Sequence, residues 1–224
     1  MDKILNSNDE LEFIPGVELT TSYDDKEYHL TLYNYDDKNT LFLDLINWTK
    51  EKRISANKEY IENYVSNKYD SVTKEDFEKY EYNRKRGGWK SANYLIDKGI
   101  HKDYYTHLTD VKKSGYKADL KDPEEVIKIA KKSGGKVFLA HPSYHYKNSY
   151  MPEDELKRWI EMGIDGIECY SPYNEKFIDY YVKFCKQNNL MISGGSDCHG
   201  DFIKTRKLGL PHVELKDINI KGLL

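Results

Sequence analysis

Lys136-Val137-Phe138-Leu139-Ala140-His141-Pro142 reads as a short, almost wholly apolar strand that runs out onto a histidine and a proline. Such a run fits a strand buried on both faces of a sheet. Upstream of it a helix is expected from Asp122: Asp122 caps, Pro123 takes the first helical position, Glu125 closes a capping box, and Val126, Ile127, Ile129 and Ala130 form the apolar face. Downstream, a helix over 153–162, a strand over 166–170, a helix over 175–188 and a strand over 190–193 follow in strict turn. That alternation predicts βαβ units and a parallel sheet. Ligands of such sheets sit where the C-terminal strand ends open, so chemistry belongs in the loops starting at His141-Pro142, at Ser171-Pro172 and at Gly194-Gly195-Ser196-Asp197-Cys198-His199.

Nearer the N-terminus, residues 11–23 read as a strand broken by Pro15-Gly16, and 28–35 alternate again after the polar turn Asp24-Asp25-Lys26, as in a hairpin. From Asn39 to about Ser66 the apolar positions follow a helical period, with Asn39 or Thr40 as the cap. Residues 70–121 are polar and broken by Gly87-Gly88, Gly99 and Gly115, with short helices near 73–80 and 91–98. The whole is therefore expected to be one domain, with sheet-forming segments 1–38 and 122–224 and a helical insertion over 39–121.

A chain of 224 residues is long enough to bury a substantial core. Its 35 Lys and Arg against 38 Asp and Glu give a net charge of −3, which disfavours nucleic acid and membrane surfaces as partners. The first ten residues hold no apolar stretch of signal-peptide type and no run approaches a membrane span, so a cytoplasmic address is expected. Cys169, Cys185 and Cys198 are odd in number and lack C-x-x-C spacing, which points to reduced, mostly buried thiols. The 20 tyrosines are scattered and do not form a stacking platform.

Divalent cations are held by imidazole nitrogen and carboxylate oxygen converging from several segments. Here the candidates are Glu18, His29, His141, Asp197 and His199. Asp197 and His199 are two apart and, on extended chain, project to one side, while Gly194-Gly195 before them allows a close backbone approach. Singly, each residue reads as an ordinary strand carboxylate, turn aspartate or structural histidine. Their joint occurrence on a hairpin and at two strand ends points to a site.

These residues carry a resemblance. Ile14-Pro15-Gly16-Val17-Glu18 with His29 eleven residues on, then Leu139-Ala140-His141-Pro142, Gly166-Ile167-Glu168-Cys169-Tyr170 and Ser193-Gly194-Gly195-Ser196-Asp197-Cys198-His199-Gly200, resemble the PHP (polymerase and histidinol phosphatase) phosphoesterases in content and order, over residues 11–38 and 122–210. The resemblance implies an α/β fold, a distorted TIM-like barrel with the helical segment inserted, and two or three divalent metals (Mn, Zn or Fe) at the strand C-termini. It implies that Glu18 bridges two metals, that His29 and His141 complete one shell, and that Asp197 and His199 serve the others. The family opens with His-x-His and an Asp-His pair before its Pro-Gly-x-Glu motif, and neither occurs in the seventeen residues ahead of Glu18. The barrel is accordingly expected to be incomplete, lacking two strands and about four of nine ligands, with exposed edges that suit pairing with a second copy.

In an intact site of this type the implied activity is hydrolysis of a small phosphate ester or nucleotide by paired cations, whereas this chain, without the opening ligands, is expected to keep metal affinity at Glu18, His29 and His141 and to show little or no turnover. Arg84 and Arg86, flanking Lys85 ahead of Gly87-Gly88, are candidates to clamp substrate phosphate, and His145 to transfer a proton or bind substrate, although a basic loop and a surface histidine are also ordinary features. A catalytically inactive metal-binding or interaction remnant is the alternative, and a nucleic-acid-associated exonuclease a third reading.

Overall fold

A computed structural model describes residues 14–146 and 148–223, apart from the Arg84 side chain. Residues 11–13 of the first expected strand lie outside the described residues. The chain divides into two compact units. One holds 14–46, 121–195 and 213–223; the other holds 47–120 and 196–212. The 196–212 segment, which the sequence pattern assigns to the sheet-forming part, thus groups with the helical residues.

The first unit is built on five strands in the order β1-β2-β3-β4-β5: Gly16–Tyr23, Lys26–Tyr33, Lys136–Leu139, Gly166–Tyr170 and Met191–Gly194. β1 and β2, and β2 and β3, pair antiparallel, whereas β3, β4 and β5 run parallel as the alternating pattern predicts. Asp24 and Asp25 turn the hairpin with φ of 49° and 59°, the left-handed pair whose twist matches the strands and which aspartate tolerates. The mixed α/β class agrees with expectation. Among the described residues these strands form an open sheet and no closed barrel, with β1 at one edge and β5 at the other, where Asn219 bridges Ile192.

Alternation gives the sheet two chemically different faces. Leu19, Leu30, Leu32, Val137, Leu139, Ile167 and Ile192 share one core with side chains from three helices, α5 (Pro123–Lys132), α6 (Glu153–Met162) and α7 (Ile178–Gln187). Phe42 and Leu45, from the start of α1 (Thr40–Tyr60), join them. Asn39 is the cap, its Oδ1 accepting the Phe42 N–H at 3.1 Å. The opposite parity carries Glu18, His29 and Glu168 onto the other face. At α5, Asp122 caps as expected, through the Glu124 N–H at 2.8 Å. The capping box does not form, because Lys121 draws the Glu125 carboxylate into an ion pair. Cys169 and Cys185 are fully buried free thiols, their sulfurs 3.6 Å apart.

The second unit is helical, comprising the rest of α1, a π-turn over Ile61–Val65, α2 (Lys74–Lys79), α3 (Lys90–Asp97) and α4 (Tyr104–Ser114). Tyr60, Ile61, Val65, Val72, Phe77, Tyr94 and Leu95 form its core. No helix among the described residues is long and apolar enough to cross a membrane.

Two buried histidines meet in this unit. The Nδ1 atoms of His101 and His107 stand 3.3 Å apart. Asp110, which accepts the Tyr60 hydroxyl at 2.6 Å, lies 3.6 Å from His101, and Lys68 approaches the same aspartate. Burial pushes the His107 imidazole down to about 4, the neighbouring His101 adding to the effect and Asp110 opposing it. Burial likewise lowers His101. An unfolded histidine titrates near 6.5, so between about 6.5 and 4 the unfolded chain takes up a proton that folded His107 refuses, and stability falls as pH falls. Moving from pH 7 to pH 5 is expected to cost about 2 kcal/mol at His107. Urea unfolding followed by helical signal at the two pH values checks this. His107→Gln should flatten the dependence, and an unchanged dependence would contradict the assignment.

Candidate metal centre

β1 and β2 bring the first two ligands together. In their antiparallel register Thr20 faces His29 and Glu18 faces Thr31, which makes Glu18 and His29 diagonal neighbours on one face, within reach of long side chains. The third ligand enters from the end of β3, where the Ala140 N–H donates to the His29 carbonyl at 3.0 Å and sets His141 beside β2.

Three atoms converge. Glu18 Oε1 lies 2.6 Å from His29 Nδ1 and 3.2 Å from His141 Nε2, and the two nitrogens are 3.2 Å apart. Ligands bound tetrahedrally at about 2.0–2.1 Å stand about 3.3 Å from one another, so the three need move little to share a cation. A purely protonic arrangement is less apt: if both imidazoles donate to Oε1, their two N–H groups confront each other. Burial pushes the Glu18 carboxyl up, but hydrogen bonds from His141 and His29 and their charge outweigh it and hold it well below the ordinary carboxylate range. An anionic oxygen and two imidazole nitrogens form a donor set suited to zinc and to other borderline divalent metals. The site opens on one side. His141 is only 5% exposed, against 29% for His29 and 39% for Glu18.

His141 has an unusual backbone, with φ 29° and ψ 60°. Its N–H donates to Glu168 Oε2 at 2.9 Å. Glu168 lies inside a strand whose Gly166, Ile167 and Cys169 are buried, and is itself buried. The Gly166–Tyr170 motif by itself assigns Glu168 no role. Its signal was available, since a carboxylate inside a buried apolar strand is costly unless something there needs it. Burial pushes the hydroxyl of Tyr33, on β2, up to about 12, and the Glu168 charge adds to the shift. The rings of Tyr144 and Tyr173 lie 5.7 and 5.3 Å from that of His141 and were likewise not anticipated.

His145 is not among the converging groups. Its Nε2 donates to the Glu27 carbonyl at 2.5 Å and its ring packs against Tyr28 and Tyr144. Burial lowers its basicity, partly offset by the Glu27 carbonyl.

The remaining candidates belong to the second unit. Asp197, at φ 45°, is 8% exposed and paired with Arg206. His199 donates from Nδ1 to the Asp197 carbonyl at 2.7 Å, which leaves Nε2 as its acceptor nitrogen. Gly87 packs on the His199 backbone so closely that a Cβ would meet its carbonyl oxygen at 1.8 Å, so the Gly87-Gly88 pair serves close packing. Arg86, a candidate phosphate clamp, is held by Asp97, its Nη1 donating to both carboxylate oxygens at 2.9 Å. The Arg84 side chain lies outside the described residues.

No family model and no curated protein matches this chain. Solved structures do. A provisionally named metal-dependent phosphoesterase from Bifidobacterium adolescentis superposes with a TM-score of 0.75 at 22% identity, over 91% of this chain and 73% of that one. An amidohydrolase from Chromobacterium violaceum, crystallised with bound sulfate and no metal, superposes with a TM-score of 0.60 at 19% identity, over 84% of this chain and 68% of that one. At these identities the likeness is one of fold, and this chain shares the α/β architecture on which those two proteins are built.

Proposed function

We propose that this protein is a metal-dependent hydrolase of the PHP type that acts on a small phosphate ester or nucleotide. The convergence of Glu18 Oε1, His29 Nδ1 and His141 Nε2, all within 4.8 Å of one another, carries the reading. Support comes from the order of the motifs along the chain and from the fold likeness to a metal-dependent phosphoesterase. Glu18, His29 and His141 would hold one divalent cation, Mn, Zn or Fe. When bound there, such a cation would supply Lewis acidity toward a phosphoryl oxygen and hydroxide at neutral pH. The chain's own residues supply the rest: Glu18 contributes the anionic charge, and buried His141 fixes the inner wall of the site. Asp197 and His199 are the proposed source of further ligands.

One observation favours a second reading, a metal-binding protein without turnover. Asp197 is paired with Arg206, and a carboxylate already neutralised by its own chain is a poorer ligand. One experiment separates the two. The purified chain is stripped with a chelator, reloaded with Mn²⁺ or Zn²⁺, desalted, and tested for bound metal and for hydrolysis of an aryl phosphate and of nucleoside monophosphates. Bound metal with chelator-sensitive turnover bears out the first reading. Bound metal without turnover selects the second reading, and a chain that retains no metal contradicts both.

A further inference from the structure

The backbone of His141 needs an explanation that its ligand role does not supply. At φ 29° and ψ 60° it occupies a region that side-chain-bearing residues rarely adopt, at a cost of order 1–3 kcal/mol that persists only where the surroundings impose the conformation. Resting on the metal-centre reading above, we propose that Glu168 is a positioning residue: its buried carboxylate accepts the His141 N–H and so fixes the backbone that aims Nε2 at Glu18 and His29.

The placement of Glu168 supports this. Its Oε2 meets the His141 nitrogen at 2.9 Å, and an ionised acceptor makes this the stronger class of hydrogen bond. Glu168 is not among the ligand atoms that gather within 4.8 Å of one another, so it acts on the ligand's backbone. Its other oxygen, Oε1, stands 2.3 Å from where a Cβ on residue 195 would lie, and only glycine there leaves room for it. The close approach anticipated for Gly194-Gly195 is therefore, at Gly195, an approach to this carboxylate.

A second clamp acts on the same loop. Fully buried Asn174 accepts the Ser143 N–H through Oδ1 at 3.1 Å and donates from Nδ2 to the Glu168 carbonyl at 2.7 Å. The loop after β3 is thus tied at both residues 141 and 143 to the end of β4. This is the arrangement by which groups behind a metal ligand set its orientation, and their removal typically weakens affinity 10–100-fold.

The test uses Co²⁺ as the probe, with affinity and geometry read from visible absorption and folding from circular dichroism, in the full chain. Glu168→Ala is expected to bind Co²⁺ about 10–100-fold more weakly and with an altered spectrum. Glu168→Gln keeps an acceptor oxygen for the His141 N–H and should restore the parent spectrum and bring affinity to within about threefold. A merely structural role would not be rescued in the spectrum by glutamine. Parent affinity and spectrum in Glu168→Ala would overturn the proposal. So would a glutamine variant as weak as the alanine one, since the charge and not the hydrogen bond would then be what matters. If Glu168→Ala does not fold, Gly195→Ala decides, because its methyl group displaces Oε1: at least about a fivefold loss is expected, and parent affinity would overturn the idea. A parent chain that binds no Co²⁺ overturns the metal-centre reading and this inference with it, an outcome distinct from failure of the Glu168 variants alone.

Discussion

Replacing His141 with alanine should lower the affinity of this protein for a divalent cation by several hundredfold. Binding free energies of about 10–16 kcal/mol for four-ligand zinc sites correspond to about 2.5–4 kcal/mol per ligand, and each 1.4 kcal/mol is a factor of ten. His141 is the ligand for which this estimate is most secure, because it is the least exposed of the three and its nitrogen lies 3.2 Å from both partners. Its loss removes one donor and opens the closed side of the site to water. Competition titration with a chromogenic chelator measures the change. His145→Ala is the matched control: its Nε2 is engaged by the Glu27 carbonyl, and its removal should change affinity by less than about threefold, well short of a ligand's share. A loss of under tenfold in His141→Ala, or equal losses in both variants, would show that the three converging atoms are not the metal site.

The second large effect is on stability. Leu30→Ala should cost about 3 kcal/mol, within the 2–5 kcal/mol range for truncating a buried leucine. Leu30 is 0% exposed, lies on the middle strand of the antiparallel part of the sheet, and sits opposite Leu19 on β1 and Leu139 on β3. Strands on both sides hold their positions through backbone hydrogen bonds, so the cavity cannot readily collapse. Urea unfolding gives the value, and a cost below about 1 kcal/mol would mean that the site relaxes and that the packing is looser than described. The same variant links core to site, because His29 immediately precedes Leu30 and lies on the opposite face of the strand. Metal at a hundred times its dissociation constant should return about 2.7 kcal/mol to parent and variant alike if only the folded chain binds it.

The local architecture can be read directly along the chain. Strand and helix alternate through 122–194 where the apolar periods place them, Asp122 and Asn39 cap as their chemistry suggests, and Asp24-Asp25 turns a hairpin. Period and capping act over a few residues, so they can be read along the chain. Even here a nearby competitor altered a detail, when Lys121 took the carboxylate of Glu125. The candidates Glu18, His29 and His141 were also legible, from their place at strands and strand ends and from the family motifs they resemble.

How those residues meet follows from the pairing of distant strands. Glu18 and His141 are 123 residues apart in sequence and 3.2 Å apart in space, a relation set by the register of β1 on β2 and of β2 on β3. The left-handed backbone of His141, the reach of Glu168 to its N–H, and the pairing of Asp197 with Arg206 belong to the same class. So does the grouping of 196–212 with the helical unit. Each depends on which distant groups arrive at one place and on how a buried charge finds its partner. A residue's type and immediate neighbours fix its propensity, whereas its contacts across the fold are fixed only when strands pair and the core closes.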